Sequence, residues 1–442
     1  MRSLVVAAVL IALAACAVQE GGQNQELDVI AEGYVGVVLE MGEYLEHYVD
    51  FYFGPEELRP EPANEDADPP FDELLFRANG LREALAAVDL QRLDPEQVQR
   101  HRFLDAHLLA VETKLEMESG ASFAFDDEFQ RLFGARPPSY DTTFIAAKLK
   151  QLDALLAGDG DLGDRYYDYV WRFVIPEERL AVVFQTAIDE AKLRTSPHTD
   201  LYDGDLCLLE LVTDKPWDAF NSYEGRGNSV VQVNTGYRKQ IKSARDAACH
   251  ECYPGHHVHS SMWEKELYED RGWVEFSVGA TSTPSYLIYE GIAEYAVEAA
   301  FPGEEWIEFQ RATLFEAAGL DPAEAERYVR AINLYKMIQW SSIIEGSRLY
   351  LDGDLDREQA IDFFMTYTLR TRPEAEGMLS AIELYRSYLV NYLFGAQMIR
   401  NYINANGGNE DNPGRRWELV REIMSSPVLP SDLLEVGDGN VF

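Results

Sequence analysis

The amino-acid sequence predicts a mainly α-helical protein built as one large domain, with a small β element near its middle. Three observations predict it. Long stretches place apolar residues three and four positions apart, the spacing of an amphipathic helix, and runs of β-branched residues are few. Gly, Pro, Asp and Asn are frequent between about 200 and 235, a segment that ends in "NSVVQVNTG" (228–236), where Val alternates with polar residues as in a strand. At 442 residues the chain can bury a sizeable core.

In chain order, Arg2 precedes an apolar run from Leu4 to Ala15 that is too short for a membrane span of about 20 residues. Small residues stand directly before Cys16. These are the features of an export signal, and the pattern is similar to the bacterial lipobox, in which the cysteine is lipidated and becomes the first mature residue. The expectation is a lipoprotein signal peptide over 1–15, a lipidated polar tether over 16–27 and one folded domain over 28–442. The acidic, proline-rich "GPEELRPEPANEDADPP" (54–70) predicts a mobile surface loop. Helices are expected over 71–88, 94–118 and 140–158, the second with Asp94 as cap and Pro95 in its first turn. Further helices are expected over 286–301, 321–351, 356–369 and 372–403. The strand ending near Asn234 would either pair with an extended peptide by β-addition or form one edge of a small structural sheet.

The net charge of −39 argues against nucleic acid as a partner, because phosphate binding needs clustered Lys and Arg. Acidic residues spread along the chain read as a solvated surface. Export would place the protein where disulfides form. With Cys16 set aside, Cys207, Cys249 and Cys252 are an odd number, so at least one thiol is free. Cys249 and Cys252 form a C-x-x-C, which leaves a redox role open.

The densest chemistry lies in "AACHECYPGHHVHSS" (247–261), which holds four of the eight histidines: His250, His256, His257 and His259. An HExxH helix sets two histidines one turn apart on one metal, with the intervening glutamate as general base. Here His250 and Glu251 supply the first half, but Pro254 occupies the second histidine's place. On an ideal helix a six-residue offset turns roughly 120° off the face and rises about 9 Å, so His250 and His256 would not share an ion. Pro254 lacks an amide hydrogen and Gly255 tolerates unusual dihedrals, so a bend at Tyr253-Pro254-Gly255 is expected to bring His256 back toward His250. A second segment, "YLIYEGIAEYAVEAAF" (286–301), carries Glu290 and Glu294 one turn apart in an apolar stretch. Glu290 suits a third ligand, and Glu294 suits a partner for a ligand histidine.

"HECYPGHH" followed about 40 residues later by "YEGIAEYAVE" resembles the bacterial domain of unknown function 885 family, which carries an HExxPGHH block and a later EGWAxYxE block. Ile292 stands where that family has tryptophan, and the stretch 416–434 lacks its Phe-His-Asp. The resemblance implies a large helical fold related to gluzincin metallopeptidases such as carboxypeptidase Taq, with the small β element ahead of the metal helix. Carried onto this chain, it implies His250 and His256 as metal ligands, Glu251 as base, Glu290 as third ligand and Glu294 as partner of His250. It leaves His257 as alternate ligand or substrate contact, and Tyr392 in "NYLFG" as oxyanion stabiliser.

The function expected is zinc-dependent hydrolysis of peptide or amide bonds in short peptides. The protein would sit in the cell envelope, on the outer membrane facing the periplasm, touching the membrane only through its lipid. The alternative is a non-catalytic envelope lipoprotein that binds a peptide or metal in the same cleft.

Overall fold

The computed structural model describes residues 23–63, 68–215 and 217–434. The signal segment, Cys16 and residues 64–67 of the acidic loop lie outside the described residues. The first helix, α1 (Gln23–Gly42), begins inside the expected tether. Leu27, Ile30, Ala31, Tyr34 and Val38 are buried along one stripe, so the polar opening of this helix hid an ordinary core-facing face. It packs with α2 (Phe71–Ala86) and α3 (Pro95–Glu118) into one apolar cluster. The Asp94 side chain caps α3 through the Gln97 amide at 2.9 Å, as its Asp-Pro start predicts. Arg100 of α3, fully buried, bonds Glu275 at 2.6 Å and Asp28 of α1 at 2.6 Å, tying three distant segments together.

Four helices follow: α4 (Phe125–Phe133), α5 (Thr142–Leu155), α6 (Leu162–Val170) and α7 (Leu180–Thr195). With β1 (Val49–Tyr52) near the N-terminus, the turn-rich region supplies β2 (Leu206–Val212), β3 (Ala219–Gly225) and β4 (Asn228–Asn234). The sheet order is β2-β4-β3, with β2 parallel and β3 antiparallel to β4. The strand legible in the sequence is therefore the central one. Both of its edges are occupied, so neither an added peptide nor an edge position applies to it.

Beyond the sheet, α8 (Ile241–Arg245) opens into a π-helical stretch (Asp246–Cys252), and α9 (His256–Met262) follows. β5 (Val278–Ala280) pairs antiparallel with β1. The C-terminal half is α10 (Pro284–Ala300), α11 (Ala325–Leu351), α12 (Arg357–Thr368), α13 (Arg372–Tyr385), α14 (Val390–Ala405) and α15 (Pro413–Met424). The stretch 372–403, expected as continuous, breaks at Arg386, whose φ is 48°. Its guanidinium bonds the buried carboxylate of Glu128 at 2.6 Å, a tertiary contact that holds the break open. Among the described residues no helix is long and apolar enough to cross a membrane. The mainly helical expectation stands, with one two-stranded and one three-stranded sheet.

Candidate metal centre

The segment bearing His250 and His256 is a helix interrupted twice. Its first interruption is the widening at 246–252, where the Tyr253 amide donates to the carbonyl of Ala248, five residues back, at 2.8 Å. Wide turns of this kind recur at functional sites because they re-aim side chains. The second is at Tyr253-Pro254-Gly255. A Cβ on Gly255 would lie 1.9 Å from the His250 carbonyl oxygen and 2.4 Å from that of Cys249. Only glycine lets the chain fold this closely over the end of the first helix, and the fold-over sets the two histidine rings edge to face at 4.6 Å between centroids. The bend expected from the sequence is present.

The third wall is α10, which is unbroken. Gly291 lets it touch α14 almost backbone to backbone, since a Cβ there would meet the Gly395 carbonyl carbon at 2.7 Å. That closeness brings Tyr388, just before α14, onto Glu290, to whose Oε1 its hydroxyl donates at 2.6 Å. Glu290 Oε2 has no hydrogen-bond partner although the residue is 5% exposed. It lies 3.4 Å from His250 Nε2 and 3.6 Å from His256 Nε2. The three donor atoms fall within 4.8 Å of one another. Ligand atoms around a tetrahedral zinc, at bonds of about 2.1 Å, sit about 3.4 Å apart. The donor set, its spacing and the orphaned carboxylate oxygen all fit such an ion.

Glu294 stands one turn after Glu290, with Oε1 3.6 Å from His250 Nδ1, and it is also paired with Lys336. The glutamate pair thus holds the His250 ring from both sides. Burial pulls His250 down, but Glu290, Glu251 and Glu294 outweigh it and raise its pKa to about 9. The cluster is therefore compensated by a proton on His250, the position a metal cation would take over. His256 is held neutral, its pKa lowered to about 3 by burial and by the charge of His250. Glu251 is pushed up to about 7, first by burial and then by the neighbouring carboxylates against the pull of His250. A carboxyl poised there can both take and return a proton near neutral pH. Its main chain is fixed by Asn221 of β3, whose side-chain amide donates to the Glu251 carbonyl at 2.9 Å.

No family model matches the chain, and no curated protein matches it. Among solved structures, the chain is similar to a protein described as a candidate lipoprotein from Colwellia psychrerythraea, at 14% identity and a TM-score of 0.50, over 82% of this chain and 68% of that one. A candidate lipoprotein of unknown function from Shewanella oneidensis aligns at 15% identity with a TM-score of 0.36, over 81% of this chain and 68% of that one. The first of these supports the fold.

One expected role is corrected, and one question left open by the sequence is answered. His257 does not join the cluster. Fully buried, its Nε2 donates to Asp205 at 2.6 Å and its Nδ1 accepts from Ser229 at 2.7 Å, so both nitrogens are spent on fastening α9 to the sheet. Nor do Cys249 and Cys252 pair with each other. Cys252 is bonded to Cys207 of β2, and Cys249 is a buried free thiol whose pKa burial pushes up to about 12.

Tyr392 is at the site, its ring near-parallel to that of His250 at 6.2 Å and stacked on Trp340 at 4.8 Å. Burial and the surrounding carboxylates keep its phenol protonated and able to donate. Tyr388 went unnoticed in the sequence because its turn separates two helices that read as one. Tyr289, also unnoticed, stacks on the His256 ring at 4.2 Å. A cavity of about 360 Å³ opens beside His250, lined also by Glu294, Tyr392, Lys336, Arg245 and Arg400.

Proposed function

We propose that this protein is a zinc-dependent hydrolase of peptide or amide bonds, acting on short peptides and anchored by lipid at the cell envelope. The observation that carries the proposal is the convergence of His250, His256 and a Glu290 oxygen without a hydrogen-bond partner, with that oxygen at tetrahedral edge length from both histidines, beside Glu251. The resemblance of the two sequence blocks to the bacterial domain of unknown function 885 family, and through it to gluzincin peptidases, supports the same reading. The signal-like residues 1–16 support envelope anchoring, as does similarity to a chain described as a candidate lipoprotein.

In this reading His250, His256 and Glu290 hold the zinc, which when bound supplies Lewis-acid polarisation of water and of the scissile carbonyl. Glu251 takes the proton from the attacking water and delivers it to the leaving nitrogen. Tyr388 fixes Glu290 through its hydrogen bond, and Glu294 orients His250 through Nδ1. Tyr392 donates toward the oxygen that gains charge during the reaction. The cavity beside His250 has room for a small peptide and not for a folded chain.

The test is Glu251→Gln. The variant is expected to keep its zinc and lose at least about a hundredfold in turnover of short peptides, the scale of a lost general base. A variant that keeps full turnover would remove Glu251 from the chemistry, and a parent that binds peptides without cleaving them would make the protein a binder.

A further inference from the structure

The reading above uses three carboxylates at the cluster: Glu290 for the metal, Glu251 for the proton and Glu294 to hold His250. One it leaves unused is Asp50 of β1. The register of β1 on β5 slips between Val49 and Phe51, so Asp50 is the extra residue of a bulge, a feature that re-aims a side chain out of its strand. Its Oδ2 accepts from the Tyr286 hydroxyl at 2.8 Å. Tyr286 lies on α10 one turn before Glu290, on the same face and about 6 Å along the axis. The Tyr286 ring packs at 5.2 Å on Tyr289, the ring that stacks on His256. Asp50 and Glu251 are near enough for their charges to act on one another.

The two ends of α10 differ in the charges around them. Toward the C-terminal end, every cation lining the cavity already has an anion: Arg245 with Asp246, Lys336 with Glu294, Arg400 with Glu298 and Arg330 with Glu304. Among the described residues no lysine or arginine pairs with Asp50, and burial raises its pKa to about 6 against the hydrogen bond from Tyr286, so it is still mostly ionised at neutral pH. Asp50 as a residue is half-buried, with its carboxyl turned into the fold toward Tyr286. An anchored carboxylate without a counter-ion selects for a cation, and a short peptide carries one at its N-terminus, whose amine is protonated at neutral pH.

We propose that Asp50, held by Tyr286, is a specificity-determining residue that binds the free α-ammonium group of a short peptide and so directs the site to the N-terminal end of its substrate. The proposal rests on the peptide-hydrolase reading of the metal cluster.

The test uses the full chain carrying Glu251→Gln, its metal content measured on the same sample, and titration calorimetry with three probes. These are trialanine amide, its N-acetyl twin, and N-acetyl-Ala-Ala-Lys amide. The expected result is about tenfold tighter binding of the free-amine peptide than of its twin. Asp50→Asn should abolish that preference while leaving the acetylated peptide unchanged, and Tyr286→Phe should reduce it by a smaller factor. If Asp50→Asn does not fold, the preference of the parent and its reduction in Tyr286→Phe decide. Equal affinity for the first two probes, absence of binding by any of them, or a preference that survives Asp50→Asn would overturn the proposal. Tighter Asp50-dependent binding of the lysine peptide alone would overturn the N-terminal assignment. Metal at about one per chain alongside any of these failures leaves the metal reading standing, whereas a metal-free sample sinks both.

Discussion

The two walls of the metal cluster are built in opposite ways. The wall that carries His250, Glu251 and His256 is a helix widened at 246–252 and broken at 253–255, whereas the wall that carries Glu290 and Glu294 is the uninterrupted α10. The difference follows from spacing. Two carboxylates four residues apart already share a face of a regular helix, so α10 needs only to be placed. Two histidines six residues apart do not share one, so the first wall must give up regular geometry. The lesson is that an interval unsuited to an ideal helix can itself mark a site when a proline and a glycine fall inside it.

The sharpest way to break the comparison is to restore a side chain at the fold-over. Gly255→Ala forces a methyl group into the carbonyls of Cys249 and His250. It is expected to cost more than about 4 kcal/mol in urea unfolding and to abolish zinc binding. A variant of parent stability with full zinc would show that the broken wall does not depend on this contact.

His257 sharpens the contrast between neighbours, since it follows His256 directly yet serves the sheet. His257→Phe leaves Asp205 and Ser229 without their shared partner. Expected is a loss of about 3 kcal/mol in stability with zinc content unchanged per folded chain. A loss of zinc from a stable variant would restore His257 as a ligand.

On the regular wall the corresponding change is Tyr388→Phe, which frees Glu290 Oε1. Zinc affinity should fall about 10- to 100-fold, with stability nearly unchanged, in a competition with a chelating dye. An unaltered affinity would mean that Glu290 is held by α10 alone.

The smallest expected effect concerns how α10 is seated on α3. His107 is fully buried, with Nδ1 bonded to the Phe103 carbonyl at 2.8 Å and Nε2 to Ser285 at 3.0 Å. Burial lowers its pKa to about 3. Between that value and the ordinary one near 6.5, the unfolded chain binds a proton that the folded chain refuses, so its contribution falls as pH falls through this window. From pH 7 to 5.5 the loss from this group is about 1 kcal/mol, measured as the difference in unfolding free energy between the parent and His107→Gln. Parallel pH profiles for the two would contradict it.

The helices that were legible have a long, uninterrupted apolar periodicity, whereas those at 23–42, 125–133, 162–170, 180–195 and 413–424 were not placed. The helix expected over 94–118 is found at 95–118, and that over 356–369 at 357–368. The clustering of His250, His256 and Glu290, with Glu251 beside them, was legible from residue type and from the bend that Pro254 and Gly255 imply. What was hidden depends on partners distant in sequence. The break at Arg386 contains neither glycine nor proline and is set by Glu128, so Tyr388 gave no local sign of its role. The opening of α1 resembled a tether because its apolar face begins only at Leu27 and finds its partners in α2 and α3. Strands β2 and β3 were lost among turn residues because their pairing with β4 is a tertiary event. Whether His256 or His257 joins the cluster could not follow from two identical neighbours, and it is decided by Asp205 and Ser229, which hold His257 away from it. Asp50 lies some 200 residues from the histidines and is brought to them only by the β1-β5 pairing.

The most direct test of the central claim is the metal content of the chain, measured by elemental mass spectrometry on protein beginning after Cys16, for the parent, His250→Ala and Glu290→Gln. The cluster predicts about one zinc per parent chain and a marked loss in both variants, each still folded by circular dichroism. A parent that stays metal-free after incubation with zinc, or variants that retain zinc at the parent's level, would contradict the site.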